Sequence, residues 1–310
     1  MHLLALLTLA FMSGWVIPLQ TAANSNLKRQ LSSPLLASFI NCSVGSVVLT
    51  ILIFVTGESF YRSPEYLLSL DWWLYLSGPL GAVILIVAIL LSSRLGMVGT
   101  SLSTMTGMMV SGLIFDACGF FELPVHPLDG TRLMGLLLML VGLMVALNVA
   151  GHLKKHEGKL SISTLAWFLV GCASGTLLTS QGAMNAIFRV KLDSVLLCAW
   201  ISMVMTALIV VVIATAIGHS PLRLKRIEVK GRYWIFIGGF MGATNIIANA
   251  IFVPLIGAGT MMTLCVAGQL CCSMLMDHIG MWELNVRRIT LHQVVGLVLI
   301  MVAVGIIRLG

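Results

Sequence analysis

Charge is what this sequence has least of. Asp, Glu, Lys and Arg make up 9% of its 310 residues and apolar residues 59%, a balance that cannot cover a soluble domain with a wettable surface and so excludes that class. Between Tyr233 and Met276 no acidic or basic residue occurs. CxxC pairs and Cys/His ligand spacings are also missing. The seven cysteines, Cys42, Cys118, Cys172, Cys198, Cys265, Cys271 and Cys272, therefore read as small apolar fillers, and the sequence calls for no metal and no cofactor. No GxxxxGK[ST] loop is present and no large polar segment exists to carry one, which excludes ATP as the direct driver. The loops are short and hold no catalytic cluster beyond the weak neighbours Asp277 and His278. The expectation is that the chain is not an enzyme. A membrane enzyme or accessory subunit handling lipid-linked cargo is the alternative, and a purely structural partner subunit is a third reading.

What the sequence has instead is apolar length. Its mean hydropathy is +1.04, and its uncharged runs repeatedly exceed the roughly 20 residues that cross a hydrocarbon core as helix. Charges, Pro and Gly punctuate these runs into ten expected helices, at about 3–26, 34–56, 72–92, 97–119, 132–151, 162–187, 195–218, 233–252, 258–278 and 290–308. The fold class is all-α integral membrane, and the lipid bilayer is the first partner. The uncharged stretch after Tyr233 must hold two helices, and "VPLIGAGT" at 253–260 is the break. The N-terminal "MHLLALLTLAFMSG" could pass for a signal peptide, but it lacks a basic n-region and has an internal counterpart at 162–187, which argues for a retained helix.

Basic residues crowd into alternate loops. Lys28, Arg29, Arg94, Lys154, Lys155, Lys159, Arg223, Lys225, Arg226, Lys230, Arg232, Arg287 and Arg288 fall on one side, and Arg62, Arg132, Arg189, Lys191 and Arg308 on the other. The richer side is expected to be cytoplasmic, with both termini on the opposite face. The net charge of +7 is this orientation signal, and no nucleic-acid partner is expected.

The second half of the chain repeats the first at an offset of 161 residues. Within 13–40, 10 of 28 positions are identical to their counterparts. Gln20 lies over Gln181, Asn24 over Asn185, Ser33 over Ser194, Gly78 over Gly239, Gly81 over Gly242, Gly96 over Gly257 and Gly135 over Gly296. "DACGFFEL" (116–123) lies over "DHIGMWEL" (277–284). The organisation is thus a first five-helix repeat at 1–151, a basic linker at 152–161 and a second five-helix repeat at 162–310. Five is odd, so the second copy enters the membrane from the other face. Inverted repeats of this kind place a substrate path at their interface and supply one gate per face, the architecture of a secondary transporter working by alternating access.

The run Gly14, Gln20, Ala22, Asn24, repeated as Gly175, Gln181, Ala183, Asn185, is followed by "SPLLAS" (33–38), "LLSSRLG" (90–96) and the Asp116, Gly119, Glu122, Leu123 motif. Together these resemble the bacterial YdcZ family of the drug/metabolite transporter (DMT) superfamily, with two family units fused in one chain. The resemblance implies a bacterial inner (plasma) membrane protein with a central cavity. The first, third and fourth spans of each repeat would line it, with the fifth span behind. It implies a small-molecule substrate of polar or amphipathic character, without naming the cargo. A homodimer is left open.

Few polar side chains lie at membrane depth. Gln20 and Asn24 share one helix face, as do Gln181 and Asn185. They read either as a polar ring around the substrate path or as interhelical hydrogen bonds, worth about 0.6–2 kcal/mol each in model systems. Asn245, Asn249 and Gln269 lie over the apolar Ile84, Ala88 and Met108, an asymmetry suited to a cargo without two-fold symmetry. Trp15 either stacks on cargo or packs. Asp116 and Asp277 could couple transport to a proton or cation, or serve as helix-end residues bonded to adjoining backbone. Related small multidrug carriers use a Glu in the first helix. That helix holds no carboxylate here, which argues against their mechanism. Ser103, Gly107 and Ser111 form a small-xxx-small packing stripe.

Overall fold

The computed structural model describes residues 2–149, 151, 162–218, 233–283, 286 and 288–309. The linker 152–161 and the basic loop carrying Arg223, Lys225, Arg226, Lys230 and Arg232 lie outside the described residues. In chain order the α-helices are α1 (His2–Ser13), α2 (Val16–Leu31), α3 (Pro34–Thr56), α4 (Pro64–Ser69), α5 (Ser77–Cys118), α6 (Gly130–Ala146), α7 (Ile162–Leu192), α8 (Val195–Ala216), α9 (Ile237–Ile256), α10 (Ala258–Ile279) and α11 (Leu291–Leu309). Among the described residues, six helical stretches are long and apolar enough to cross a membrane. They are Leu4–Leu31, Pro34–Thr56, Ile162–Leu192, Val195–Ala216, Tyr233–Ile256 and Ala258–Ile279, with Trp72–Ala88, Gly130–Ala146 and Leu291–Ile307 as shorter apolar helices.

Two expected boundaries differ. The first helix is broken at Gly14–Trp15, where both amides turn back to the carbonyls three residues earlier, Phe11 O at 3.1 Å and Met12 O at 3.0 Å. Pro18 explains the break, since its ring collides with the carbonyl four residues before it and offers no N–H in return. The counterpart of Pro18 is Thr179, and α7 runs through unbroken. Conversely, the expected interruption around Arg94 is absent, and α5 is one continuous 42-residue helix. In the second copy Pro254 and the positive φ of Gly257 (84°) end α9 before α10 begins. The first copy has Ser93 in place of that proline, and Gly96 keeps a helical backbone. Arg94 lies 5.5 Å from the ring centre of Trp167.

Elsewhere the 161-residue offset extends to the backbone itself. Ser32 and Asp193 share a positive φ (50° and 49°), as do Phe121 and Trp282 (59° and 54°), and Gly119 and Gly280 (65° and 64°). Ser33 and Ser194 each cap the helix that follows, accepting from the amides of Leu36 and Leu197.

The chain divides into two compact units, and neither is a repeat. The first combines Met1–Trp15, Val87–Thr179 and Pro254–Gly310; the second combines Val16–Ile86 and Ser180–Val253. Each takes corresponding elements from both copies. In the second unit α3 packs on its counterpart α8. Gly45 lies against Met203, the Trp200 indole donates to Thr50 at 2.9 Å, and Ser194 donates to Glu58. Residue numbers rise on one helix as they fall on the other, so the corresponding helices are antiparallel. In the first unit α6 and α11 repeat this relation, with Gly135 against Ala303 and Ile307, and Gly142 against Gly296 and Ile300.

The first unit is held by two crossings in which backbone touches backbone. A Cβ at Gly14 would stand 2.2 Å from the Cys265 carbonyl oxygen, and one at Gly268 2.0 Å from that of Phe11. The corresponding contacts, at the same offset, are Gly175 with Thr104 O and Gly107 with Cys172 O, both 2.0 Å. Only hydrogen side chains allow such approach, and it supplies the dispersion and Cα–H contacts that join helices in lipid, where no hydrophobic drive acts between them. Gly175→Ala is expected to lower stability by more than about 2 kcal/mol, whereas Gly305→Ala, with open space around its Cβ, leaves it unchanged. Thermal unfolding in detergent measures both.

Candidate functional site

The polar residues of the second unit form two equivalent clusters. In one, Gln181 on α7 donates to the Ser77 carbonyl at the start of α5 (2.7 Å). Ser77 and Ser202 share a hydroxyl contact at 2.9 Å, and Ser202 donates to Asn185 Oδ1 at 2.8 Å. Thr206 donates to Gly78 O at 2.9 Å, and the Cys198 thiol points to Asn185 O at 3.3 Å. Asn185 is 2% exposed. Its carboxamide is thus tied to α8 by a buried network that lipid or a low-dielectric interior strengthens. In the other cluster Asn41 donates to Asn24, as Ser202 does to Asn185. Gln20 lies against Gly242 as Gln181 lies against Gly81.

The two clusters solve one packing problem with different residues. Where one copy meets Ser202 with Ser77, the other meets Asn41 with Gly238, and a Cβ on Gly238 would come within 2.5 Å of Asn41 Oδ1. A long side chain faces a glycine in one cluster, and two short hydroxyls face each other in the second. Asn41, Ser77, Ser202 and Thr206 were not among the residues singled out from the sequence. The offset of 161 carries their signal, since Asn41 aligns with Ser202 and Ser77 with Gly238. On α9, Asn249 donates to Asn245 O at 2.9 Å and Asn245 Oδ1 at 3.2 Å, while its own Oδ1 is buried without a partner.

The first unit holds Trp15, Gln269, Asp116 and Asp277. Trp15 sits at the kink between α1 and α2, where its carbonyl accepts from the Cys272 thiol at 3.5 Å. Its indole N–H is enclosed and has no hydrogen-bond partner. Gln269 is 7% exposed, and its Nε2 contacts the Cys265 sulfur one turn earlier at 3.5 Å, a weak acceptor. Both flank the Gly14 crossing, where a Cβ on Gly14 would lie 3.0 Å from the Gln269 amide nitrogen. The counterparts, Thr176 and Met108, bring neither an indole nor a carboxamide.

Asp116 is 2% exposed and spends both oxygens on the first turn of α10, accepting from Ala258 N at 2.7 Å and Gly259 N at 2.9 Å. That turn is free to receive it because Gly257 ends the preceding helix, and the carboxylate also meets the positive end of the α10 dipole. Asp277 has no such turn to cap, since the corresponding residues 97–98 lie inside the unbroken α5. It is half-buried, with the exposed His278 beside it. Among the described residues no three His, Cys, Asp or Glu side chains gather as metal ligands, and all seven cysteines are free.

Two stretches of the chain, 5–145 and 166–306, each match the family "Putative inner membrane exporter, YdcZ", and they stand 161 residues apart at both ends. No curated protein matches the chain. In three dimensions it resembles a protein of known crystal structure with a TM-score of 0.69 over 97% of each chain. At 14% identity that likeness speaks for the fold alone.

The exchange of Ser77/Ser202 for Gly238/Asn41 makes a prediction. Ser202→Asn alone forces a carboxamide against Ser77 and is expected to cost about 1–3 kcal/mol. Adding Ser77→Gly should recover most of it. Thermal unfolding of the four-member cycle reads the coupling, and strict additivity would contradict the shared packing.

Proposed function

The chain belongs to the YdcZ family, both of its halves matching that family at one offset, and from that premise we propose that it moves a small polar or amphipathic metabolite by alternating access. It is a multi-pass inner membrane protein of the drug/metabolite transporter group and a transporter in kind. The proposal adds two five-span repeats inverted across the bilayer and both termini away from the cytoplasm; its ten crossings count the 42-residue α5, about 63 Å long as helix and about twice the depth of a bilayer core, as two spans. The antiparallel packing of α3 on α8 and of α6 on α11 supports the inversion. A pair of inverted copies supplies one closure for each face, which is what a carrier without an ATP-binding motif needs.

One observation carries the assignment of a cargo contact: at the Gly14 crossing, the enclosed Trp15 N–H has no partner among the described residues, and the Gln269 carboxamide contacts a thiol at 3.5 Å. A buried donor without a partner costs about 1–3 kcal/mol. A cargo acceptor oxygen or nitrogen meeting both groups removes that cost in the loaded protein alone. Binding there is therefore favoured by what the empty protein lacks. Gln20, Asn24, Gln181 and Asn185 act in this scheme through the helix contacts that hold the kinked first span and its counterpart. Asn245 and Asn249 add a polar face present in one copy only. Of the two acids, Asp116 serves the first turn of α10, and Asp277 is the candidate for a coupling proton or cation.

The test is counterflow of radiolabelled metabolites into proteoliposomes. Once a cargo is found, Trp15→Phe and Gln269→Met are each expected to raise its half-saturating concentration about tenfold, the loss of roughly 1.4 kcal/mol. Gly305→Ala should transport like the parent. Unchanged kinetics in both pathway variants would overturn the site, and the absence of any carried metabolite would overturn the transport reading itself.

A further inference from the structure

Helix α6 begins with a residue out of keeping with the face it occupies. Asp129 caps the helix, accepting from Arg132 N at 2.8 Å and from the Thr131 hydroxyl at 2.7 Å. The buried stripe then runs Arg132, Gly135, Met139, Gly142, Leu143 and Ala146. Every member except the first is small or apolar and packs toward α11. Arg132 is only 7% exposed, less than many leucines of this chain.

Its guanidinium is poorly served by the protein. Nη1 reaches the His126 carbonyl at 3.4 Å, the outer limit for such a bond. Nε is buried and has no partner. Two acids, Asp116 and Asp129, lie close enough to feel its charge, and among the described residues neither forms a hydrogen bond with the guanidinium. Asp116 gives both oxygens to the amides of Ala258 and Gly259, while Asp129 is taken up by the helix cap. Among the described residues no carboxylate forms an ion pair with Arg132. Burying an unpaired guanidinium costs several kcal/mol, and its five N–H groups present a fork that fits two oxygens of a carboxylate or phosphate. The second copy has no such cation: its counterpart is Gln293, whose Oε1 accepts from Thr290 N at 2.9 Å and needs nothing further.

We propose that Arg132, with the loop at 119–129 that leads into α6, binds an oxyanion, a carboxylate or phosphate group that supplies the hydrogen-bonded partner its guanidinium lacks among the described residues. The site shares no residue with the one assigned to Trp15 and Gln269, and the proposal does not depend on the transport reading. The anion comes either from a lipid headgroup or from solution.

The experiment uses the full chain purified in a neutral detergent. One arm adds sodium phosphate against sodium chloride at equal ionic strength, and a second compares phosphatidylcholine nanodiscs with and without phosphatidylglycerol. The unfolding midpoint of the parent is expected to rise by about 5 °C in at least one arm. A rise with phosphate identifies a soluble anion, and a rise confined to phosphatidylglycerol identifies a headgroup. Arg132→Gln, the residue of the second copy, should abolish the rise. In the unsubstituted protein, the same anion should slow phenylglyoxal modification of Arg132 at least fivefold while leaving the exposed Arg288 unaffected, a readout that requires no variant to fold. No rise in either arm, an equal rise in Arg132→Gln, or equal protection of Arg288 would overturn the proposal.

Discussion

A polar group in hydrocarbon must find its partner inside the protein, and in this chain several of those partners are supplied by the other repeat. Gln181 and Ser202 reach Ser77, Thr206 reaches Gly78, and the Trp200 indole reaches Thr50. Arg62 donates to the Leu192 carbonyl at the end of α7, at 3.0 Å through Nη2. Asp116 of the first copy caps a helix of the second. The glycine crossings obey the same rule, since Gly14 and Gly268 join one helix from each copy, as do Gly107 and Gly175. The consequence is that neither compact unit belongs to one repeat. A repeat on its own would leave these carbonyls, carboxamides and carboxylates without partners.

Against that shared frame, the departures from symmetry are where a cargo could be distinguished. Pro18 kinks the first span where Thr179 leaves its counterpart straight, and Pro254 with Gly257 opens a helix end that Ser93 and Gly96 keep closed. Beside the first lies the Trp15 indole N–H, enclosed and without a partner among the described residues, and the second frees the first turn of α10. The protein closes the second with Asp116 and leaves the first unanswered. Arg132 is a third departure, with a buried charge where the second copy places a neutral carboxamide. On the proposed reading, these differences are the local sites by which a two-fold scaffold recognises an asymmetric solute.

Much of this was legible in the sequence because membrane crossing imposes a strong pattern. Long uncharged runs mark the six stretches long enough to cross a membrane among the described residues, Pro254 and Gly257 mark the break between α9 and α10, and a constant offset relates the two copies. The kink at Gly14–Trp15 was written in Pro18, but the length of an apolar run says nothing of a local break within it. The continuity of α5 through Arg94 was hidden because a charge at helix depth and a charge in a loop look alike in a sequence. Asn24 and Asn185 showed that a polar face exists, not whether it turns to a neighbour or to a path. Geometry gives both a partner on the following helix. Arg132 was counted as a loop charge, since nothing in the local sequence shows that the first turn of α6 is buried.

Ser32 and Asp193 are corresponding corner residues, both exposed and both at positive φ, and they test the inverted pairing of the copies most directly. In intact cells, with the exposed Cys118 replaced by serine, single cysteines at these positions meet a membrane-impermeant maleimide. The account predicts labelling at 193 from outside and labelling at 32 only after the membrane is opened. Labelling of both from the same side would show that the copies run parallel and would contradict it.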